Sequence, residues 1–550
     1  MGTTSQSSLL TPPDSAPPTP VKSAFQLDSS SSDFDLDHDE ESTPVLVARP
    51  EQPRSLANTL YSFTDALTST VASSLFSLSS LPPVVAATKF AILTAMSSSI
   101  TMGQLRIITP DQEVHVFPSP EKRSGVQADM DDRQTAEIRV LRDSFWLRLV
   151  AQGDLGFAEA YMAGDCEVTD LVQVFRIFIR SQQSLESSHI SGVRTLPSRA
   201  FSIVTNLTNS RFANTISNSI CNISAHYDLS NGMFKSFLSR DMTYSCAIFP
   251  ELDKDLTEGR HQDRPKKKGL IALGNGNGVD GEGDELEEAQ IAKLRHIIRK
   301  ADIRPGHRVL EIGSGWGSLA IEAVKMTKCT VDTITLSAQQ KALAEKRIKR
   351  AGLAGRIRVH LVDYRKLPES WKGSFDRVVS IEMLEAVGKE FIPGYFGVLN
   401  EMLNESGVAC IQVITIPESR FERYQRDVDF IQKWIFPGGF LPTVTYVVDA
   451  ATKGSSNKLV LDSVSNIGPH YARTLREWRY RFVDNFDEMI IPALLSEHPG
   501  MNDEDVQVFK RKWIYYFAYC EIGFAERVLG DHIFTWVREG YADYGCSTYV

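Results

Sequence analysis

A glycine-rich turn behind an apolar run is the feature that most constrains the fold of this chain. Residues 309–317 read Val-Leu-Glu-Ile-Gly-Ser-Gly-Trp-Gly, and a helix-like segment follows them. Glycines let the backbone turn tightly and approach a ligand closely, while the first turn of a helix offers N–H groups that have no partner within the helix. We therefore expect a nucleotide-sized ligand to bind at this turn.

The spacing of the glycines discriminates between nucleotide ligands. Gly313, Gly315 and Gly317 form G-x-G-x-G rather than the G-x-G-x-x-G of dinucleotide sites, and the next strand-like run ends at Thr335 without an acidic residue. NAD is therefore disfavoured. Glu311, two places before the first glycine, suits a ligand with an amino acid moiety and a positive centre, as in S-adenosylmethionine. The alternative interpretation is the generic turn of any Rossmann sheet.

Apolar strand-like runs alternate with helix-like segments on both sides of this turn. The strand-like runs cover residues 307–312, 330–335, 357–362, 375–381 and 407–415, and one helix-like segment covers residues 338–351. This alternation predicts an α/β fold with a Rossmann-like, doubly wound parallel sheet. In such sheets the ligand lies beyond the carboxyl ends of the strands. The residues expected to converge on one crevice are Glu311, Thr335, Leu336, Asp363, Tyr364 and residues 382–388.

Composition excludes several classes of protein. A chain of 550 residues is long enough for two or three folded regions. Residues 1–50 hold eight acidic and two basic side chains of a chain with net charge −10, so the rest is near neutral and offers no broad basic surface for nucleic acid. Seven cysteines without a C-x-x-C pair argue against a disulfide framework and a zinc site, and we expect no bound metal. The N-terminus lacks a charged-then-apolar secretion signal, which favours a cytoplasmic location.

Residues 81–100 are mostly apolar and invite comparison with a membrane span. Pro82, Pro83 and Lys89 interrupt the run, so a single transmembrane helix is disfavoured. Two interpretations stay open. The segment is either an interfacial helix that docks on lipid or a loosely packed helix beside the first domain.

The order of several further motifs resembles the cyclopropane-fatty-acyl-phospholipid synthase family, which includes the mycolic acid cyclopropane synthases. The resemblance spans residues 223–537, and the region before it resembles the N-terminal extension of the larger members. The motifs that carry it cover residues 226–231, 241–246, 286–290, 309–317, 335–340, 382–388, 424–441 and 470–471.

This resemblance implies a chemistry. It is the transfer of a methyl group from S-adenosylmethionine to a cis double bond of an unsaturated phospholipid or other lipid acyl chain, followed by closure of a cyclopropane ring. The carbocation that forms needs aromatic faces, for which Tyr471, Phe436 and Trp316 are suited. A bound bicarbonate ion removes a proton from the added methyl group. Peripheral membrane contact is implied, and a homodimer is left open.

The resemblance assigns the bicarbonate to Cys246, Glu385, Ile414 and Tyr471. The family's histidine aligns with Gln412, which donates a hydrogen bond to an anion but does not titrate near neutral pH. Bicarbonate would then be held more weakly, or the proton would leave by another route and give a methyl-branched alkene.

Two cysteines match positions of interest in the family. Cys520 matches the cysteine given as the family's active site, but residues 515–519 are typical of a buried helix. Cys246 lies in an apolar setting. For both we prefer a packing role to that of a nucleophile.

The S-adenosylmethionine site carries over to the covering segment, the glycine turn and the ends of two further strands. Its residues are Tyr244, Ser245, Gly313, Ser314, Gly315, Trp316, Gly317, Thr335, Leu336, Ser337, Gln340, Asp363 and Tyr364.

Composition and resemblance together divide the chain into five regions. These are a disordered acidic Ser/Pro-rich tail (1–55), an N-terminal accessory domain (56–205), a helical lid segment over the cofactor site (206–250), a flexible insertion (251–285), and a methyltransferase catalytic domain with substrate-binding C-terminal elements (286–550).

Three functions stay in play. The first is a lipid cyclopropane synthase. The second is an S-adenosylmethionine-dependent C-methyltransferase acting on an unsaturated lipid, sphingolipid or polyketide chain, and Gln412 keeps it open. The third is a non-catalytic lipid-binding module with a decayed methyltransferase fold, which the intact Glu311, Gly315, Glu385 and Tyr471 argue against.

Overall fold

The computed structural model describes residues 82–119, 135–187, 231–252 and 284–541, all of which belong to one compact unit of residues 63–550. The predicted acidic tail lies outside the described residues, as do most of the predicted lid segment and most of the predicted insertion. The domain boundaries given above therefore stay a prediction.

The N-terminal region contains a sheet of its own. Its elements are α1 (Pro82–Ser99), β1 (Gln104–Ile108), β2 (Val114–Phe117), β3 (Thr135–Val140), α2 (Ser144–Gln152), α3 (Asp154–Ala163), β4 (Cys166–Val168) and α4 (Leu171–Ser187). The strand order is β2-β1-β3-β4, with β1 and β3 parallel. Leu105, Ile107 and Ile138 alternate inward and pack with Phe145 and Trp146 of α2, which buries one face of the sheet.

Helix α1 contributes to the core of this region. Ile92 and Met96 are buried in it, and Lys89 on another face lies 2.9 Å from a carboxylate oxygen of Glu113. Phe90 is 73% exposed. Across the described ranges, no helix combines the length and the apolar character that a membrane crossing requires. Lipid contact by α1 stays a prediction.

The second sheet is the one that the alternating pattern predicts. The elements up to its fifth strand are α5 (Asn231–Phe237), α6 (Glu285–Lys300), β5 (Arg308–Ile312), α7 (Ser318–Thr327), β6 (Thr330–Thr335), α8 (Ala338–Arg350), β7 (Ile357–Leu361), β8 (Phe375–Ile381), α9 (Ile392–Met402) and β9 (Leu403–Thr415). Strands β5 to β9 pair in parallel in the order β9-β8-β5-β6-β7. The predicted Rossmann-like doubly wound α/β sheet is confirmed.

Residues 416–541 of the described chain contribute two antiparallel strands and six α-helices. They are α10 (Glu418–Tyr424), α11 (Phe430–Trp434), α12 (Val444–Gly454), β10 (Leu459–Asn466), α13 (Gly468–Asp484), α14 (Ile491–Glu497), α15 (Asp503–Ala525) and β11 (Gly530–Arg538). The order β10-β11-β9 extends the sheet to seven strands.

Helix α15 connects the two parts of the core. It begins at a reciprocal capping box between Asn502 and Asp505. Its Tyr515 ring lies 5.1 Å from the ring of Phe175 on α4 and 4.6 Å from that of Phe430 on α11. The N-terminal region is therefore packed directly on the helices that flank the large sheet.

Candidate active site

The reversal of strand order between β5 and β8 locates the crevice. From β5 the chain runs to β6 and β7 on one side, and then returns to β8 and β9 on the other. The connections at the carboxyl ends of β5 and β8 therefore diverge, which leaves room for a ligand between them. The glycine turn lies at the end of β5, and residues 382–388 lie at the end of β8.

The glycine turn is held in the left-handed backbone region that glycine tolerates. The φ angles of Gly313, Gly315 and Gly317 are 98°, 47° and 85°. The N–H groups of Gly313 and Ser314 donate to the carbonyl of Ile334, at 3.1 and 2.9 Å, and attach the turn to the end of β6. A Cβ built on Gly315 would meet no described atom within 4 Å. The turn therefore presents bare backbone to the crevice.

Glu311 places a buried carboxyl group beside this turn. Its side chain is 4% exposed, and its Oε2 has no hydrogen-bond partner within the described part of the chain. Burial raises the pKa of Glu311 to about 8. Because a buried carboxyl without a full set of donors is costly, a cationic ligand group is its natural complement. The residues at this turn thus fit the amino acid moiety of S-adenosylmethionine.

The predicted adenosine side of the crevice lies at the ends of β6 and β7. Thr335 Oγ1 donates to Gln340 at 2.8 Å, and Ser337 caps α8 by accepting the N–H of Gln340. Leu336 between them is 74% exposed, so its apolar surface is open to a ligand. Asp363 is paired with Arg365 at 2.6 Å.

Tyr364, the last residue assigned to this side, packs edge-on against Tyr395 with ring centroids 5.2 Å apart. The residues assigned to the cofactor on β5, β6 and β7 thus share one edge of the sheet. Their binding role stays a prediction.

The described end of the predicted lid segment contacts residues near the same edge. Ser245 Oγ accepts a hydrogen bond from Lys293 at 2.6 Å. The Tyr244 hydroxyl lies 3.0 Å from that of Tyr516. Trp316 donates from its indole nitrogen to Asn231 at 2.7 Å, which connects the glycine turn to α5.

Glu382 is the centre of a second group of side chains. It is a non-glycine residue at φ 47°, directly after β8. Its Oε1 accepts the backbone N–H of Cys246 at 2.8 Å and the side-chain amide of Gln412 at 2.7 Å, and its Oε2 accepts the hydroxyl of Tyr471 at 2.6 Å. Three donors from three distant segments therefore converge on one carboxylate.

Gln412 extends this group to a second acid. Its amide nitrogen also donates to Asp531 Oδ2 at 2.8 Å, because β11 pairs antiparallel with β9 and brings Asp531 beside it. The other carboxyl oxygen of Asp531 finds no partner among the described residues. Burial raises the pKa of Asp531 well above its usual range, and the nearby charges of Glu382 and Glu385 act in the same direction.

Lys293 supplies the positive charge of the group. It lies on α6 and is fully buried, so desolvation lowers its pKa, while Glu382 and Asp531 act in the opposite direction. The same lysine opposes the effect of burial, which raises the pKa of Glu382.

Glu385 stands one turn further along from Glu382. Its Oε1 accepts the backbone N–H of Ile414 at 2.6 Å, whereas its Oε2 is buried and has no partner in the described ranges. Burial, and secondly the charge of Glu382, raise the pKa of Glu385 to about 8. The carboxyl group is therefore largely protonated near neutral pH.

The two cysteines are buried, as a packing role requires. Burial raises the pKa of both the Cys246 and the Cys520 thiols. The acidic group is the set of Glu382, Asp531, Gln412, Lys293 and Tyr471. Cys246 contributes to it by donating its backbone N–H to Glu382. Neither side chain has the depressed pKa of a nucleophile.

The aromatic residues expected around a cation are separated in space. Tyr471 stacks on Phe524 with centroids 4.5 Å apart, and its hydroxyl points at Glu382. Trp316 packs instead against Phe234 of α5, and Phe436 is 42% exposed. Of the three, Tyr471 is the one that contacts the acidic group.

Bicarbonate does not fit these donors. The N–H of Cys246, the amide of Gln412 and the hydroxyl of Tyr471 all donate to Glu382, and the N–H of Ile414 donates to Glu385. The groups to which the resemblance assigns bicarbonate are therefore already bonded to carboxylates of the protein.

Sequence reasoning missed three members of the group. Glu382 lay within a motif predicted to face the crevice, but only Glu385 was singled out. Lys293 lies on a helix next to quoted residues, and the signal for it was a lysine among apolar neighbours. Asp531 follows Gly530 at the start of β11 and belongs to no recognised motif.

Several known proteins are similar to this chain. A family model described as mycolic acid cyclopropane synthetase matches residues 215–534. A tuberculostearic acid methyltransferase of Mycobacterium tuberculosis is 32% identical over 83% of this chain and 95% of its own length. A cyclopropane-fatty-acyl-phospholipid synthase of Escherichia coli is 30% identical over 71% of this chain and 85% of its own length. The solved structure of the cyclopropane synthase MmaA2 from Mycobacterium tuberculosis is 27% identical, with a TM-score of 0.44, over 58% of this chain and 97% of that chain.

Proposed function

Since the chain belongs to the mycolic acid cyclopropane synthetase family, we propose that it transfers the methyl carbon of S-adenosylmethionine to a cis double bond of an unsaturated lipid acyl chain. The observation that carries the proposal is the unpartnered, buried carboxyl of Glu311 beside the bare backbone of Gly315, at the same sheet edge as the acidic group around Glu382. The first pair suits a cationic methyl donor. The second suits the positive charge that methylation of an alkene creates.

The roles of the residues follow from their places. S-adenosylmethionine, when bound, supplies an electrophilic methyl group. Glu311 and the N–H groups of the glycine turn hold and orient the donor. The Tyr471 ring and the carboxylate that it contacts stabilise a cation on the acyl chain. The buried helices around Tyr471 keep water away from that cation.

Two products are compatible with this chemistry. Loss of a proton from the added methyl group with ring closure gives a cyclopropane, the product that we expect first. Loss of a proton to give an alkene yields a methyl- or methylene-branched chain. Gln412 in place of the family's histidine, and the similarity to a tuberculostearic acid methyltransferase, favour this second candidate.

The substrate proposed is an acyl chain within an assembled lipid rather than a free acid. A long apolar chain has to leave a bilayer for a dry site, and the exposed Phe90 on α1 is a candidate contact with the membrane surface. Peripheral association at the cytoplasmic side and a homodimer belong to the same proposal.

The test is a product analysis with the full chain. The protein is incubated with vesicles of a phospholipid bearing cis-monounsaturated chains and with S-adenosylmethionine that carries a trideuterated methyl group. Ring closure or formation of an exocyclic methylene leaves two deuterons on the transferred carbon, whereas an alkene formed along the chain keeps all three. Proton NMR of the product formed with unlabelled S-adenosylmethionine then separates the ring from the exocyclic methylene. Vesicle binding without any consumption of S-adenosylmethionine would overturn the proposal in favour of a lipid-binding module.

A further inference from the structure

The acidic group around Glu382 carries a specific assignment. We propose that the Glu382 carboxylate accepts the proton that the methylated acyl chain loses, and that turnover therefore needs no bicarbonate. This inference rests on the function proposed above and deepens it. It replaces a diffusible anion with a side chain that is built into the end of β8.

The hydrogen-bond inventory excludes a second anion at this place. The backbone N–H of Cys246 and the hydroxyl of Tyr471 have one proton each, and both are donated to Glu382. The amide nitrogen of Gln412 donates to Glu382 and to Asp531. A bicarbonate ion would find these donors in use and would lie against a carboxylate of the same charge.

The same contacts decide which acid carries the negative charge. Burial raises the pKa of both acids, but the three hydrogen bonds that Glu382 receives and the nearby charge of Lys293 oppose this effect and favour its ionised form. Asp531 receives one from Gln412, and its second oxygen has no partner in the part of the chain that the structure describes. The proton of this pair therefore resides on Asp531, and Glu382 is the available acceptor.

The backbone supports a functional reading of Glu382. A φ of 47° at a residue with a Cβ is sparsely populated and persists where surrounding contacts determine it. The three hydrogen bonds are such contacts. They place the carboxyl group at the carboxyl edge of the sheet, one strand away from the glycine turn.

The proton and electron balance is complete without a further reactant. The π electrons of the alkene form a bond to the methyl carbon, while the carbon–sulfur bond breaks and its electrons stay on sulfur. A C–H bond of the resulting cation then gives its electron pair to the new ring bond or double bond, and a Glu382 oxygen takes the proton. The acid returns this proton to water. A carbocation loses a proton so readily that position matters more than base strength, so a carboxylate stabilised by three hydrogen bonds suffices.

Two variants of Glu382 test the assignment. Glu382→Gly removes the carboxyl group and places glycine at a φ that glycine adopts readily, which exposes the three donors. Glu382→Gln fills the space with an amide. Both variants should still bind S-adenosylmethionine, as measured by calorimetry. Both should turn over phospholipid vesicles about 10²–10⁴-fold more slowly, as is usual when a positioned proton acceptor is removed.

Rescue by small anions distinguishes a proton acceptor from a structural side chain. Added bicarbonate, formate or acetate should restore part of the activity of Glu382→Gly, should leave Glu382→Gln slow, and should leave the wild type unchanged. Glu401→Gln, which removes an exposed acid paired with Lys372, serves as the control without rate loss or rescue.

Three outcomes would overturn the assignment. They are a wild-type rate that falls when dissolved carbonate is removed, a Glu382→Gln variant with full activity, and a folded Glu382→Gly variant that no anion rescues. A wild type that makes no lipid product in the same assay would instead refute the proposed function, and the assignment with it.

Discussion

Binding of S-adenosylmethionine should release a proton from Glu311. The free side chain is buried with an unpartnered oxygen, and burial raises its pKa to about 8. A cationic ligand group placed beside it favours the ionised form and lowers that pKa. Because the raised pKa keeps the free carboxyl protonated below about pH 8, formation of the complex at lower pH has to expel the proton.

The expected stoichiometry follows from these values. At about pH 6.5 a group with a pKa of about 8 is ~97% protonated, and the ligand's own amino group, with a pKa near 7.8, is ~95% protonated. If the complex holds an ionised carboxyl and an ammonium group, the net release is about 0.9 proton per ligand bound. If the pKa of the free Glu311 carboxyl were one unit lower, the net release would still be about 0.7 proton per ligand bound.

The measurement is isothermal titration calorimetry in buffers of different ionisation enthalpy. Glu311→Gln should abolish the release and weaken binding. Glu322→Gln, which removes a buried carboxylate held by Arg295 at 2.7 Å, should retain the release. A wild-type release below about 0.3 proton, or equal release by wild type and Glu311→Gln, would refute the placement of the cationic group beside Glu311.

Three further changes probe the remaining parts of the site. Gly315→Val should cost about 1–2 kcal/mol of stability, because valine is strained at a left-handed φ, and should lower affinity for S-adenosylmethionine about 100-fold or more. The matched control is Gly352→Val, at a position with φ 72° and open space around it. Equal affinities of the two variants in calorimetry would contradict the site. Glu385→Gln keeps an acceptor for the Ile414 N–H. The wild-type rate at saturating cofactor should rise as pH passes about 8, where Glu385 ionises. A variant that shows the same rise would exclude Glu385 as the group that causes it. Gln412→His should lower the free energy of unfolding in urea by about 1–3 kcal/mol, because one of two hydrogen bonds to carboxylates is lost, and unchanged stability would contradict the network.

Much of the fold follows from local pattern. The strands predicted at residues 330–335 and 375–381 match β6 and β8, and the helix predicted over residues 338–351 ends one residue early, before Gly352. Strand β9 begins at Leu403 instead of residue 407. The intervening Asn-Glu-Ser, typical of a turn, is absorbed as an irregularity in the pairing of β9 with β8.

The candidate site was predictable only in its local parts. The glycine turn and Glu311 are adjacent in sequence, so the spacing alone indicates their chemistry. The partnership of Glu382 with Asp531 joins residues 149 positions apart, and it depends on a strand pairing that no motif announces. Short-range patterns carry no information about such a contact.

Gln412 shows how one position can mislead when it is considered alone. As a replacement for the family's histidine, it suggested a weakened anion site. In the structure its amide donates two hydrogen bonds, at 2.7 and 2.8 Å, to two different carboxylates, and a neutral imidazole has one N–H to donate. A glutamine therefore suits a site in which the anion is the protein's own Glu382 and a second acid stands beside it. On the assignment proposed above, Gln412 positions the carboxylate that accepts the proton.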